Sequence, residues 1–251
     1  MSRRVLVTGG SSGIGAAICR RMATDGWTVA VAGRSPERTR AIADELGGVA
    51  VLGDVADASH DPVADAAAQL GGLDCVILNA GVIADADLLA TEQADWRHLL
   101  EVNVLAVHRQ ARAAHPALAA TSGSLLMTSS DAGVWGETSI AGYSITKRMV
   151  LALMRSLAAE WGPEGIRVNA ICPGDTAPGM VTTTSGRREP GTTDGWLPPP
   201  LGATVRAQDV AGAAAFLAGA DAARVTGVGL LIDAGMRASS TGWRTAPEVG
   251  R

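Results

Sequence analysis

The stretch RVLVTGGSSGIG, residues 4–15, sets a short apolar run directly against a turn that contains spaced glycines. The run favours a buried strand, and a helical pattern follows over residues 13–25. Gly9 permits a tight turn, Gly13 leaves room for a pyrophosphate, and Gly15 lets the helix pack closely on the strand. The free N–H groups and the dipole at the start of that helix favour a diphosphate. The stretch therefore predicts a strand–turn–helix unit that binds a dinucleotide.

The same alternation of short apolar runs and helix-length segments continues along the chain. The runs are rich in Val, Ile and Leu and do not alternate strictly, as expected of strands that are covered on both faces. Strands are predicted at 4–8, 28–32, 49–53, 75–79, 124–128, 167–171 and 229–233, and the helices include 13–25, 36–46, 94–119 and 142–161. This order predicts an α/β fold: a doubly wound parallel sheet of the Rossmann type, with about seven strands and helices on both faces.

The regular alternation of strands and helices predicts a single domain. No linker or internal repeat divides the 251 residues, so one domain spanning 1–251 is expected. Residues 174–205 interrupt the alternation with many Gly, Pro and Thr, and a connection of that length predicts a substrate lid. The tail, residues 236–251, is polar and interrupted by Gly and Pro.

The composition narrows the class of partner. A formal net charge of −4 gives no electrostatic reason to expect nucleic acid or a membrane surface. The first apolar run is too short for a signal peptide, and no stretch reaches the length of a membrane span. Cys19, Cys75 and Cys172 lie far apart in apolar segments, which indicates buried, reduced thiols, and no cysteine or histidine spacing suggests a metal site. We therefore expect a cytoplasmic protein that acts on a small molecule without a metal.

The end of the second predicted strand bears on the choice of cofactor. Dinucleotide folds commonly place an acid there to bind the adenosine ribose diol, whereas this chain has Gly33 and Arg34. An acid would repel a 2′-phosphate, and the planar arginine fork matches one. This favours NADP over NAD. The alternatives are a solvated arginine, or a diol bound by the nearby Glu37 of an NAD enzyme.

The segment YSITK, residues 143–147, contains the only tyrosine and the only lysine of the chain. Their four-residue spacing places Tyr143 and Lys147 on one face of a helix. A free phenol has a pKa of about 10, and a nearby ammonium group favours the phenolate, so the pair suits proton exchange near neutral pH. A tyrosine above a lysine stem is ordinary on a helix surface. That interpretation does not explain why lysine occurs only here, in a chain that otherwise uses arginine.

These motifs together resemble the short-chain dehydrogenase/reductase family in its single-domain form of about 250 residues. The resemblance rests on TGGSSGIG at 8–15, NAG at 79–81, the spacing of Ser130, Tyr143 and Lys147, and PG at 173–174. It extends from Val5 to about Gly235, and the motifs occur in the family's order.

The resemblance implies a role for each matched residue. Tyr143 would be the general acid and base, Lys147 would hold the nicotinamide ribose and favour the phenolate, and Ser130 would hydrogen-bond the substrate carbonyl. Asn103 would hold a water in the proton relay; without the family it is a polar residue on an amphipathic helix. The residues expected to bind the cofactor are Gly9, Ser11, Ser12, Gly13, Ile14, Gly15, Arg34, Asp54, Val55, Asn79, Ala80, Gly81, Tyr143, Lys147, Pro173, Gly174 and Thr176. Pro178 departs from the family, which often has a threonine there that touches the cofactor phosphates.

The implied activity is that of an NADP(H)-dependent carbonyl reductase or secondary alcohol dehydrogenase, assembled as a homotetramer or dimer. The residues expected at the substrate are Ser130, Asp131, Trp135, Tyr143, Met180 and Trp196, and the two tryptophans suggest a largely apolar ketone. Asp131 either binds an amine or hydroxyl of the substrate or is a solvated turn residue. Two alternatives remain: an NAD-dependent alcohol dehydrogenase, and a catalytically silent dinucleotide-binding regulator on the same fold.

Overall fold

The computed structural model describes residues 2–84, 86, 88–177, 180 and 199–238. Most of the predicted lid at 174–205, including Pro178 and Trp196, lies outside the described residues. The tail is described only as far as residue 238, and it starts with a short 3₁₀ turn at Met236–Ala238.

Nine strands and eight α-helices form the described part of the chain. The strands are β1 Arg4–Thr8, β2 Thr28–Gly33, β3 Val49–Leu52, β4 Cys75–Leu78, β5 Ser124–Thr128, β6 Arg167–Pro173, β7 Thr176–Ala177, β8 Val205–Arg206 and β9 Gly229–Ile232. The helices are α1 Gly13–Thr24, α2 Pro36–Leu46, α3 Pro62–Leu70, α4 Gln93–Leu100, α5 Ala106–Ala119, α6 Asp131–Val134, α7 Ala141–Trp161 and α8 Ala207–Ala218. Among the described residues, no helix is long and apolar enough to cross a membrane.

Seven of the strands form one parallel sheet in the order β3-β2-β1-β4-β5-β6-β9, which confirms the predicted fold. Helices cover both faces of this sheet. In β1, Val5 and Val7 join the core with residues of α1 and α8, whereas Leu6 joins the core with residues of α5 and α7. Because both faces are buried, the strands read as continuous apolar runs. The three cysteines lie in these cores as buried, free thiols, as predicted.

The strand order places the candidate site. Strand β1 pairs with β2 on one side and with β4 on the other, so the direction of winding reverses between β1 and β4. Ligands of open parallel sheets bind beside the carboxyl ends of the strands at such a reversal. The loops that follow β1, β4, β5 and β6 all meet at this edge, and they carry the predicted motifs.

The predicted helix at 94–119 is interrupted. A π-helical segment, Glu101–Leu105, separates α4 from α5, and the N–H of Ala106 donates to the carbonyl of Glu101. This wider turn contains Asn103, whose side chain is fully buried. The sequence pattern predicts the helical segments on both sides of this turn but not the π turn between them.

Candidate active site

A cleft of about 600 Å³ runs along the carboxyl ends of the strands. All the residues predicted to bind the cofactor border it, from Gly9 to Thr176. Four of the residues predicted to bind the substrate, Ser130, Asp131, Tyr143 and Met180, also line it. The topology thus brings segments from six parts of the chain to one cavity.

The glycine turn leaves an open cradle at the start of α1. Gly13 has a φ of 51°, and a Cβ built on it would meet no atom within 4 Å, so the space beside it belongs to the cleft. A Cβ on Gly15 would lie 2.1 Å from the carbonyl oxygen of Gly9, so only glycine allows this approach of helix and turn. Within the described structure, the N-cap residue Ser12 makes no side-chain capping hydrogen bond. The turn therefore fits the diphosphate of a dinucleotide.

Asn79 ties the ends of three strands together beneath the cleft. Its amide nitrogen Nδ2 donates to the carbonyl of Thr8 at 3.2 Å, and its Oδ1 accepts from Thr128 Oγ1 at 3.1 Å. The backbone N–H groups of Asn79 and Ala80 donate to Thr8 Oγ1 at 3.1 and 3.2 Å. Gly81 follows, and a Cβ there would lie 3.1 Å from Lys147 Nζ. The NAG segment therefore packs against the lysine as closely as a glycine permits.

Two arginines border the cleft beside the end of β2. Arg34 Nη1 lies 3.5 Å from Asp54 Oδ2, and both side chains are largely exposed. Arg38, in the first turn of α2, also lines the cleft. Our sequence prediction missed Arg38; the signal that could have found it is a second arginine shortly after the end of the second strand.

Tyr143 and Lys147 lie near the start of α7, and both are buried. Lys147 Nζ is 5.5 Å from the centroid of the Tyr143 ring and donates to the carbonyl oxygen of Thr128 at 3.0 Å. Burial lowers the pKa of Lys147 to about 8. The lysine is therefore close enough to the phenol to act on it, and its own charge depends on pH in the mildly alkaline range.

Ser130 caps the short helix α6 at the end of the loop after β5. Its Oγ donates to Asp131 Oδ1 at 3.0 Å and accepts from the N–H of Ala132 at 3.2 Å. Asp131 is only 7% exposed, so its interpretation as a solvated turn residue is wrong. Burial raises the pKa of the Asp131 carboxyl, and the charge of Arg237 opposes that rise.

Asn103 lies behind the wall of the cleft and is not among the residues that line it in the described structure. Its Oδ1 accepts from the N–H of Val82 at 2.9 Å, and its Nδ2 donates to the carbonyl of Val82 at 2.9 Å and to Thr146 Oγ1 at 3.1 Å. These three bonds hold the segment after NAG against α7. The side chain thus fixes the backbone next to Tyr143 and Lys147.

Of the two tryptophans predicted to line the substrate site, the structure describes only Trp135. Trp135 is 51% exposed and is absent from the described lining of the cleft, because α6 ends at Val134 and the chain continues extended toward the surface. Trp196 lies outside the described residues. Sequence reasoning also missed Asp175, which lines the cleft, and Arg237, which contacts Asp131 from the other end of the chain.

Comparison with known proteins identifies the family of this chain. A family model described as "Enoyl-(Acyl carrier protein) reductase", of the short-chain dehydrogenase/reductase type, matches residues 9–237. The L-fucose dehydrogenase of Mus musculus is 36% identical over 238 residues, which cover 92% of this chain and 87% of that protein. The meso-2,3-butanediol dehydrogenase of Serratia marcescens is 31% identical over 249 residues, with 94% of both chains covered.

A solved structure shares the architecture as well. The 3-ketoacyl-(acyl-carrier-protein) reductase from Brucella melitensis, complexed with NADH, superimposes with a TM-score of 0.84 at 26% identity and covers 93% of this chain and 97% of its own. The chain belongs to the short-chain dehydrogenase/reductase family, and its relatives are oxidoreductases that act on alcohols and carbonyl groups.

Proposed function

We propose that this protein is an NADP(H)-dependent oxidoreductase that interconverts a ketone and a secondary alcohol. The observation that carries this proposal is the grouping of Ser130, Tyr143 and Lys147 in the same cleft as the glycine turn of α1. A silent regulator has no need of a buried lysine beside a phenol, because burying a charged group costs free energy. The relatives named above are dehydrogenases and a reductase, which supports the same class of reaction.

The chemistry assigns one task to each side chain. A bound nicotinamide dinucleotide supplies the hydride that the carbonyl carbon accepts. Tyr143 donates its phenol proton to the carbonyl oxygen, which completes the alcohol, and in the reverse direction the phenolate takes that proton back. Lys147 stabilises the phenolate by its positive charge. Ser130 turns its hydroxyl from Asp131 to the carbonyl oxygen, where negative charge develops in the transition state.

Arg34 and Arg38 support NADP as the cofactor. Both border the adenosine end of the cleft, and two guanidinium groups suit a dianionic 2′-phosphate. The contact of Arg34 with Asp54 favours the second candidate, an NAD-dependent enzyme, because that carboxylate neutralises the arginine and is an acceptor for ribose hydroxyls. Two arginines against one carboxylate leave a net positive charge, so we assign NADP.

A fluorescence titration with NADPH and NADH tests this assignment on the wild type and on Arg34→Ala and Arg38→Ala. We expect NADPH to bind at least about tenfold more tightly than NADH, and each variant to lose most of that preference while NADH binding changes little. Arg40→Ala, an exposed arginine of α2 outside the cleft lining of the described structure, is the matched control. Equal affinity for both dinucleotides in the wild type would make the protein an NAD enzyme.

A further inference from the structure

The side chain of Arg109, in α5, bridges two segments that border the cleft. Its Nη1 donates to Glu101 Oε1 at 2.7 Å, and its Nη2 donates to the backbone carbonyls of Val55 and Ala56 at 3.1 and 3.3 Å. Val55, in the loop after β3, lines the cleft, whereas Arg109 is not among the lining residues of the described structure. Arg109 therefore lies behind the wall of the cleft and holds that wall from outside.

The π turn Glu101–Leu105 brings the two charged side chains of this bridge together. An α-helix has about 3.6 residues per turn, so residues seven positions apart face the same side. Glu101 and Arg109 are eight positions apart, and the π turn between them takes up the extra residue. The residue after Glu101, Val102, lines the cleft. The bridge thus joins the π turn to the loop after β3, and both segments contribute to the wall of one cavity.

The loop after β3 depends on Arg109 for part of its hydrogen bonding. Asp54 Oδ1 accepts from the N–H of Ala56 at 2.9 Å, and the carbonyl of Asp54 accepts from the N–H of Asp57 at 3.0 Å. These bonds fold the loop on itself. Among the described residues, Arg109 is the only donor to the carbonyls of Val55 and Ala56. Removal of the guanidinium therefore leaves both carbonyls without a protein donor and frees the loop to shift.

The ion pair of the bridge acts on position more than on stability. The side chains of Arg109 and Glu101 are 34% and 36% exposed, and an ion pair in such a place adds little to the free energy of unfolding. A guanidinium is planar, and its N–H groups point in fixed directions. Because Glu101 binds Nη1, it also sets the direction in which Nη2 holds the loop.

We infer that Arg109, oriented by Glu101, is a positioning residue for the adenosine moiety of the dinucleotide. It fixes the backbone of Val55, and with it Asp54, at the end of the cleft where the adenosine binds. The same bridge ties this loop to the π turn that contains Asn103. The inference rests on the dinucleotide site of the proposed function and adds to that site two residues that do not line the cleft.

Titrations with NADPH, NADH and adenosine monophosphate (AMP) test the inference. AMP contains the adenosine but not the nicotinamide, and its affinity is measured by displacement of the dinucleotide that the wild type binds more tightly. We expect Arg109→Met to weaken that dinucleotide and AMP by the same factor, at least about tenfold. Arg109→Lys should restore part of the loss, because an ammonium group still donates to a carbonyl. Glu101→Gln should weaken both ligands by about threefold and add little to the effect of Arg109→Met in the double variant.

Arg112→Met is the matched control. Arg112 is an exposed arginine of α5 outside the cleft lining of the described structure, and its replacement should keep all affinities within about twofold of the wild type. Thermal unfolding without ligand is measured in parallel, since a purely structural arginine would lower the midpoint and leave the affinities unchanged.

Three results overturn the inference while the oxidoreductase proposal stands. They are unchanged affinities in Arg109→Met, a loss in that variant that spares AMP, and an equal loss in Arg112→Met. A wild type that binds neither NADPH nor NADH overturns both.

Discussion

At the residue scale, the only lysine of the chain, Lys147, is buried next to Tyr143. Lys147 is 3% exposed, and its spacing from Tyr143 made the pair recognisable in the sequence. The sequence did not show the burial, because Gly81 and Thr128, which enclose the ammonium group, come from other parts of the chain. The juxtaposition of Tyr143 and Lys147 was thus predictable from spacing, whereas the electrostatic environment of the lysine required the fold.

We predict that catalysis depends on pH through this lysine. Its ammonium form is present below the lowered pKa of about 8, so kcat/KM for ketone reduction should fall as pH rises through that value. A pH profile of the wild type from mildly acidic to alkaline buffer measures this limb. Arg148→Ala, a change in the exposed residue that follows Lys147, should leave the midpoint unchanged. A flat profile across the alkaline range would contradict the assigned role of Lys147.

At the scale of elements, the glycine turn and the start of α1 form one wall of the cleft. The glycine pattern predicted the junction of β1 and α1 because its physical cause is local: the helix and turn approach too closely for any Cβ at Gly15. The π turn at Asn103 was not predictable in the same way. Its stabilising bonds go to Val82 and Thr146, which are distant along the chain.

Replacement of Gly15 by alanine should separate α1 from the turn. The added Cβ would lie 2.1 Å from the carbonyl oxygen of Gly9, so we expect a loss of at least about tenfold in dinucleotide affinity, along with reduced stability. Isothermal titration with NADPH and thermal unfolding measure the two effects. Gly162→Ala is the matched control, since its Cβ would meet no atom within 4 Å and its φ is −53°. Unchanged NADPH affinity in Gly15→Ala would contradict the interpretation of the glycine turn as the diphosphate-binding site.

Asn103→Ala should weaken the π turn and the loop after β4. The change leaves the N–H and carbonyl of Val82 without these partners, so the free energy of unfolding should fall by about 2 kcal/mol or more. Chemical denaturation measures the loss. Gln110→Ala removes another buried amide, which donates to the carbonyl of Ala106 within α5, and it should cost less. An equal or larger loss in Gln110→Ala would show that Asn103 has no special role.

At the scale of the whole molecule, residues that are far apart in the sequence meet beside the cleft. Asp131 and Arg237 are separated by 106 positions and meet because β9 follows β6 at the edge of the sheet. The alternation of apolar runs and helix-length segments predicted the sheet, but no local pattern links an arginine in the last turn to the loop after β5. The same limit explains Trp135, whose position depends on where α6 ends.

We predict a tetramer from the described surface. Ile145 and Met149 on α7, and Phe216 and Val228 near the edge strand β9, are each at least 40% exposed. Two such apolar faces are suited to two separate pairings of identical chains. Sedimentation velocity should give about four times 25.5 kDa, and Phe216→Glu should reduce this to a dimer. A monomeric wild type at micromolar concentration would contradict the prediction.

The most direct test of the proposed function compares the wild type with Tyr143→Phe. Both proteins should bind NADPH with affinities within about twofold of each other, since the variant removes only the phenol oxygen. On addition of 3-hydroxy-2-butanone, the wild type should oxidise NADPH, and Tyr143→Phe should do so at least about 100-fold more slowly. If Tyr143→Phe oxidises NADPH as fast as the wild type, the assignment of Tyr143 as the catalytic acid is contradicted.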